Sequence, residues 1–290
     1  MIKQVKITGM LFYIIFIFSA LDILGQSDSL RKRNALQDSI EDSIDKHSQI
    51  DIHTAYMSRV VYAGRDYGIN QYGVLPGISY KNKNGVSIYD ESFIWSGMQR
   101  KYFKNELGMS WEHEWFDDFS TDAGYERWFI NDSSADVRNS LTNALHLGLM
   151  YFTRYLHLSS YNMYMYGTNH AFVSSVTAAG NFAIRTGRNG KLYIQPFARY
   201  IGGNSITPIS IYQAGYAKTG GAAESPSSIS FATLDYELGM QLFFKYKKIE
   251  ITPQYIYAFP VNPSSENPQT PFGYFTIDVV FKILFKKNKY

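Results

Sequence analysis

The chain has 290 residues, no cysteine and a net charge of +3. Disulfides and thiolate chemistry are therefore excluded, and the scattered Lys and Arg form no basic patch suited to nucleic acid. Its 24 Tyr and 20 Phe bring aromatic residues to 17%, level with the 18% that are charged, a bias that suits pleated, half-buried strands.

Residues 1–25 read as a secretory signal peptide. Lys3 and Lys6 precede a short apolar run, Met10 to Ala20, and small residues follow at Ser19, Ala20 and Gly25. A membrane anchor is the alternative, but the run is short for a span of about 20 residues and Asp22 interrupts its end. Cleavage is expected near Gly25–Gln26, with no cysteine there to carry a lipid. Residues 26–50 form a polar segment without aromatics, in which Leu36, Ile40 and Ile44 recur at helical spacing. A short amphipathic helix, a solvated linker and a plug for whatever follows are all open.

From 51 to 290 the period becomes two. About twelve strands are expected, near 52–64, 71–82, 85–96, 103–115, 123–131, 141–153, 157–167, 171–185, 191–201, 231–246, 248–259 and 272–286. Soluble strands usually run to about 5 or 6 residues, whereas a tilted strand crossing a bilayer needs about 9 to 11. The connections alternate in kind. Asn82–Gly85 (NKNG), Arg154–His157, Gly187–Lys191 and Lys245–Lys248 are tight, and Asn-x-x-Gly is a strong turn signal. Between them lie GRDYGINQ, NDSSADVRNS, Gly202–Ser230 and PVNPSSENPQTPFG. Trp115–Tyr125, with FDDFSTDAG, is expected as a longer connection on the tight-turn side.

The strand near 231–246 shows the pattern most plainly. Tyr236, Leu238, Met240, Leu242, Phe244 and Tyr246 share one face; Asp235, Glu237, Gln241 and Lys245 share the other. A backbone in lipid must pair all its polar groups internally, so only helices and closed barrels span, and barrel strands alternate apolar-out with polar-in. The expected fold is all-β, a closed antiparallel transmembrane barrel of about 12 strands with short periplasmic turns and longer extracellular loops. A soluble two-sheet sandwich also alternates, but it accounts for neither the strand length nor the turn asymmetry.

The stretch VYAGRDYGINQYGVLPGISYKNKNGVSIYDESFIWSG (Val61–Gly97) resembles uncharacterised outer-membrane β-barrel proteins of the Bacteroidota type. It does so through its Gly-Arg-Asp-Tyr-Gly loop, Pro-x-Ile-Ser-Tyr strand, Asn-x-x-Gly turn and aromatic following strand. The resemblance covers about an eighth of the chain and implies fold and location only: the outer membrane of a Gram-negative bacterium. Such barrels end on an aromatic residue, and here either Phe285 or the final Tyr290 takes that place.

Lumen-facing positions are expected at Glu106, Glu112, Glu114, Arg199, Asp235, Glu237, Gln241 and Lys245, with Arg59 also a lumen candidate. Lipid-facing or girdle aromatics are expected at Trp111, Tyr236, Phe244, Tyr246, Tyr255, Tyr257, Phe281 and Phe285. No phosphate loop, zinc motif or nucleophile elbow occurs, so no catalytic residue, metal ligand or cofactor is assigned. A triad built across strands would leave no linear motif, so His53, His113, His146, His157 and His170 stand as candidate bases, none with a Ser nucleophile beside it in a recognisable setting. The acidic run WEHEWFDDFSTDAGYE (Trp111–Glu126) matches no defined calcium loop. The leading functional reading is a small pore or passive transporter for small polar solutes. A filled, non-conducting scaffold and a lipid-directed hydrolase are the alternatives. The partners expected are outer-membrane lipid, the barrel-assembly machinery and, through the long loops, other envelope proteins. The Gly202–Ser230 loop is a candidate restriction at the mouth.

Overall fold

The structure, a computed structural model, describes residues 48–59, 61–62, 65–66, 72–96, 102–131, 141–153, 155–187, 190–204, 231–261 and 270–285. The signal peptide, most of the polar segment and the loop from 205 to 230 lie outside the described residues. Besides a hairpin of two-residue strands, Val61–Tyr62 with Arg65–Asp66, in the first long connection, twelve barrel strands follow one another: β1 (Gln49–Met57), β2 (Gly73–Lys81), β3 (Val86–Trp95), β4 (Tyr102–Phe116), β5 (Phe119–Ile130) and β6 (Asn143–Phe152). Then come β7 (Leu156–Tyr166), β8 (His170–Gly180 continuing as Phe182–Gly187), β9 (Gly190–Gly203), β10 (Ala232–Tyr246), β11 (Ile249–Pro260) and β12 (Phe272–Leu284). The two segments of β8 run along the same partner, β9, in one register as far as Ala183, after which a bulge shifts it by one residue. The ladder lapses between them opposite Pro196, which has no N–H to donate.

Every strand pairs antiparallel with its chain neighbour, and β1 closes the ring against β12. No sheet edge is left open among these strands, as a bilayer demands. The closing seam is tight: Asp51 lies opposite Lys282, and Phe285 donates its backbone N–H to Ser48 at 2.9 Å.

The tight turns cluster at the end that holds both residue 48 and residue 285. At the first, Asn82 Oδ1 accepts from the N–H groups of Asn84 (2.8 Å) and Val86 (3.1 Å), and Gly85 takes a φ of 83°. At Lys247–Lys248, Lys247 itself adopts a φ of 53°. One expectation is corrected here. FDDFSTDAG is not a longer connection: β4 runs to Phe116, β5 begins at Phe119, and only Asp117 and Asp118 turn. Ser120, Asp122 and Gly124 are inward strand positions, and their polar or small character imitated a loop.

The outer face is mostly apolar. Ile52, Ile78, Ile88, Met109, Leu147, Met240 and Phe281 are all exposed on it, together with the aromatic residues Trp111, Tyr236, Tyr246, Tyr255 and Tyr257. The inner face holds two apolar clusters nearer the long-loop end. One joins Trp128, Leu141, Ala144, Met165 and Ala171; the other joins Ala179, Phe197, Ile256, Ala258, Phe272 and Tyr274.

Candidate functional site: the barrel interior

The interior wall is assembled by register. Each inward residue is fixed by the pleat, so a cross-strand partner of an inward residue also points inward. Among the described residues the inward carboxylates are Asp51, Glu91, Glu106, Glu112, Glu114, Asp122, Glu126, Asp235, Glu237, Glu250 and Asp278. The inward Lys and Arg are Lys81, Lys104, Lys191, Arg199, Lys245 and Lys282.

These groups are ordered into pairs. Arg199 Nη1 on β9 donates to Glu237 Oε2 on β10 at 3.0 Å, and Tyr274 on β12 donates its hydroxyl to Glu237 Oε1 at 2.9 Å. Lys104 pairs with Glu106 on its own strand, and its ammonium sits 3.8 Å from the centre of the Trp128 ring. Tyr89 and Trp128 both donate to Glu126, each at 2.9 Å. His146 lies between two carboxylates, 3.0 Å from Asp122 and 3.3 Å from Glu126. Toward the tight turns, Lys81 meets Glu112 at 2.6 Å, while Lys245 and Lys282 converge on Glu250 at 3.3 and 3.0 Å.

Several interior rings lie flat on the wall because a neighbouring strand offers glycine there. His53 covers Gly77, Tyr89 covers Gly108, His146 covers Gly124 and Phe197 covers Gly239; a Cβ at any of these would collide with the ring. An aromatic ring laid over a strand glycine fills the gap in the sheet. It also keeps the ring off the barrel axis.

Of the residues singled out in the sequence, Glu106, Asp235 and Glu237 are inward and buried, and Arg199, Gln241, Lys245 and Glu112 are inward and half-buried. Gln241 donates to Gln195 at 2.8 Å. Glu114, opposite Ser120, is inward by register and exposed beside the Asp117–Asp118 turn. Arg59 lies past the end of β1, its guanidinium 5.7 Å from the ring centre of Phe272. Trp111, Tyr236, Phe244, Tyr246, Tyr255, Tyr257, Phe281 and Phe285 are exposed on the outer face.

The histidines scatter. His113 stands on the outer face between Trp111 and Trp115, His157 stacks on Phe152, and His170, the first residue of β8, stacks on Tyr164. Among the described residues no serine hydroxyl hydrogen-bonds to a histidine. The acidic run divides: Asp117 and Asp118 turn, while Glu112, Asp122 and Glu126 point inward, and no group of three or more His, Asp or Glu is arranged to hold a metal among the described residues. Asp122, Glu126, Lys104 and Glu250 are lumen groups not singled out in the sequence, whereas His146 in NALHLGLMYF is inward as its place in that strand implies. Strand alternation would have reached them once the turn at Asp117–Asp118 was placed.

No family model and no curated protein matches the chain. Solved structures with a similar course include the NanC porin, 12% identical over 81% of this chain and 100% of that one, with a TM-score of 0.46. They also include the KdgM porin, 11% identical over 80% and 98%, with a TM-score of 0.46. Salmonella typhi OmpF is 9% identical over 82% and 98%, with a TM-score of 0.38. The barrel described above rests on its own strand ladder.

Proposed function

We propose that the protein is a pore of the bacterial outer membrane that lets small polar solutes pass passively. One observation carries the reading: the outer wall is mostly apolar, with Asp90, Arg127 and Asn162 among its few polar positions, yet the interior toward the tight turns is lined by charged groups that water reaches. Glu112 and Lys81 keep side-chain exposures of 36% and 30%, and Asp122 keeps 27%. A closed barrel is one of two ways to span a bilayer, and short turns at one end with long loops at the other suit the outer membrane. A signal peptide at residues 1–25, an envelope of the Bacteroidota type and recognition of Phe285 by the assembly machinery belong to the same proposal. Purified mature protein in a planar bilayer should give stepwise openings.

A second reading has its own support. Near the long loops the interior is dry: Ala144, Met165, Ala171, Asp235 and Ala258 are fully buried. A folded barrel that shows no conductance in that experiment would be a filled scaffold.

A further inference from the structure

Resting on the pore reading, we infer that the lumen passes cations in preference to anions, and that the discriminating wall is β3–β5. The first ground is a census. The chain as a whole carries +3, but its described inward wall holds the eleven carboxylates named above against six Lys and Arg. The wall's excess is therefore not a consequence of composition; lysines such as Lys83, Lys247 and Lys248 are spent on the exposed tight turns.

The second ground is placement. Strands β3–β5 present Glu91, Glu106, Glu112, Glu114, Asp122 and Glu126, with Lys104 as their single inward Lys or Arg. Lys104 is already held by Glu106. In a ring of twelve, the strand six places from β4 is β10, and there the signs nearly balance: Lys191, Arg199 and Lys245 stand near Asp235, Glu237 and Glu250. A mobile cation is thus drawn to one side of the passage. Rings of carboxylates select cations in channels, and a fixed charge acts over about 8 Å at physiological ionic strength. Asp122 and Glu112 face each other directly across β4 and β5; Lys81 meets Glu112 and His146 meets Asp122 from the flanking strands, and both carboxylates keep water-exposed surface that a passing cation can reach. The solutes favoured are inorganic monovalent cations and small organic amines.

The test is the reversal potential of the mature protein in a planar bilayer under a KCl gradient. The expected sign is that of a cation-selective path, growing stronger as total salt is lowered. Glu112→Gln combined with Asp122→Asn should cut the permeability ratio of potassium over chloride by roughly half, and Lys83→Gln, on an exposed turn, should leave it unchanged. Because Asp122 touches His146, Glu112→Gln alone serves as the second variant, with heat-modifiable mobility confirming that each barrel is folded. Current without selectivity, or selective for chloride, overturns this inference and leaves the pore standing. A folded wild-type barrel without current overturns the pore reading, and this inference falls with it.

Discussion

The two ends of the barrel interior are built from the same residue types but solve opposite problems. Near the long loops, Glu237 is only 2% exposed and is held from two strands, by Arg199 and by Tyr274, amid the Phe197, Ile256 and Phe272 cluster. Near the tight turns, Lys81 and Glu112 pair at 2.6 Å but remain about a third exposed. An ion pair out of water must be satisfied by geometry because desolvation is expensive. One in water contributes little and is free to rearrange. The difference teaches that any restriction to passage lies toward the loops, while the turn side is a wet vestibule.

The largest expected contrast is chemical access. The chain has no cysteine, so single cysteines report without background. Ser79→Cys and Ser159→Cys, inward and half-buried, should react with a small charged thiol reagent roughly tenfold or more faster than Ala144→Cys and Ala258→Cys, which are fully buried, because thiol reactivity follows exposure. Equal rates at the four sites would erase the distinction between the two ends.

Next comes stability. Glu237→Ala strands the Arg199 charge and the Tyr274 hydroxyl. The loss should be about 3 kcal/mol, the lower end for a broken buried pair because Arg199 keeps some water, read as a shift in the denaturant midpoint of the folded barrel. A loss under about 1 kcal/mol, the level of an exposed pair, would mean that water enters the loop side freely. Smaller again is the effect of filling a glycine. In Gly239→Ala the Phe197 ring has only packed neighbours to move into, so overpacking should cost about 1–3 kcal/mol. Gly77→Ala displaces His53, which is 21% exposed and can swing into the lumen at the expense of its 3.0 Å contact with Glu91. Its cost should fall below that of Gly239→Ala, and the reverse order would place the open space at the other glycine.

Much of the fold was legible because a barrel strand writes its two environments as alternate letters. On β10, Tyr236 through Tyr246 and Asp235 through Lys245 separate cleanly, and a register follows from that separation alone. The signal failed at β5, where inward Ser120, Asp122 and Gly124 alternate with the small outward residues Thr121 and Ala123, so neither face looked like lipid or core. Pairing was the least legible part. His146 meets Asp122 and Glu126 only because β5 and β6 register as they do, and nothing local to His146 announces it. Likewise Glu237 and Tyr274 come together across the width of β11.

The smallest predicted effect bears most directly on the vestibule. Lys81→Met removes the partner of Glu112 on the water-exposed side. In an aqueous setting the change in unfolding free energy should be about 0–1 kcal/mol, because Glu112 is rehydrated where it stands. The same substitution leaves one more uncompensated carboxylate on the wall, so stability should hardly move while selectivity for cations rises. A loss approaching that of Glu237→Ala would show the turn-side pair to be desolvated, and the interior would then be closed along its whole length.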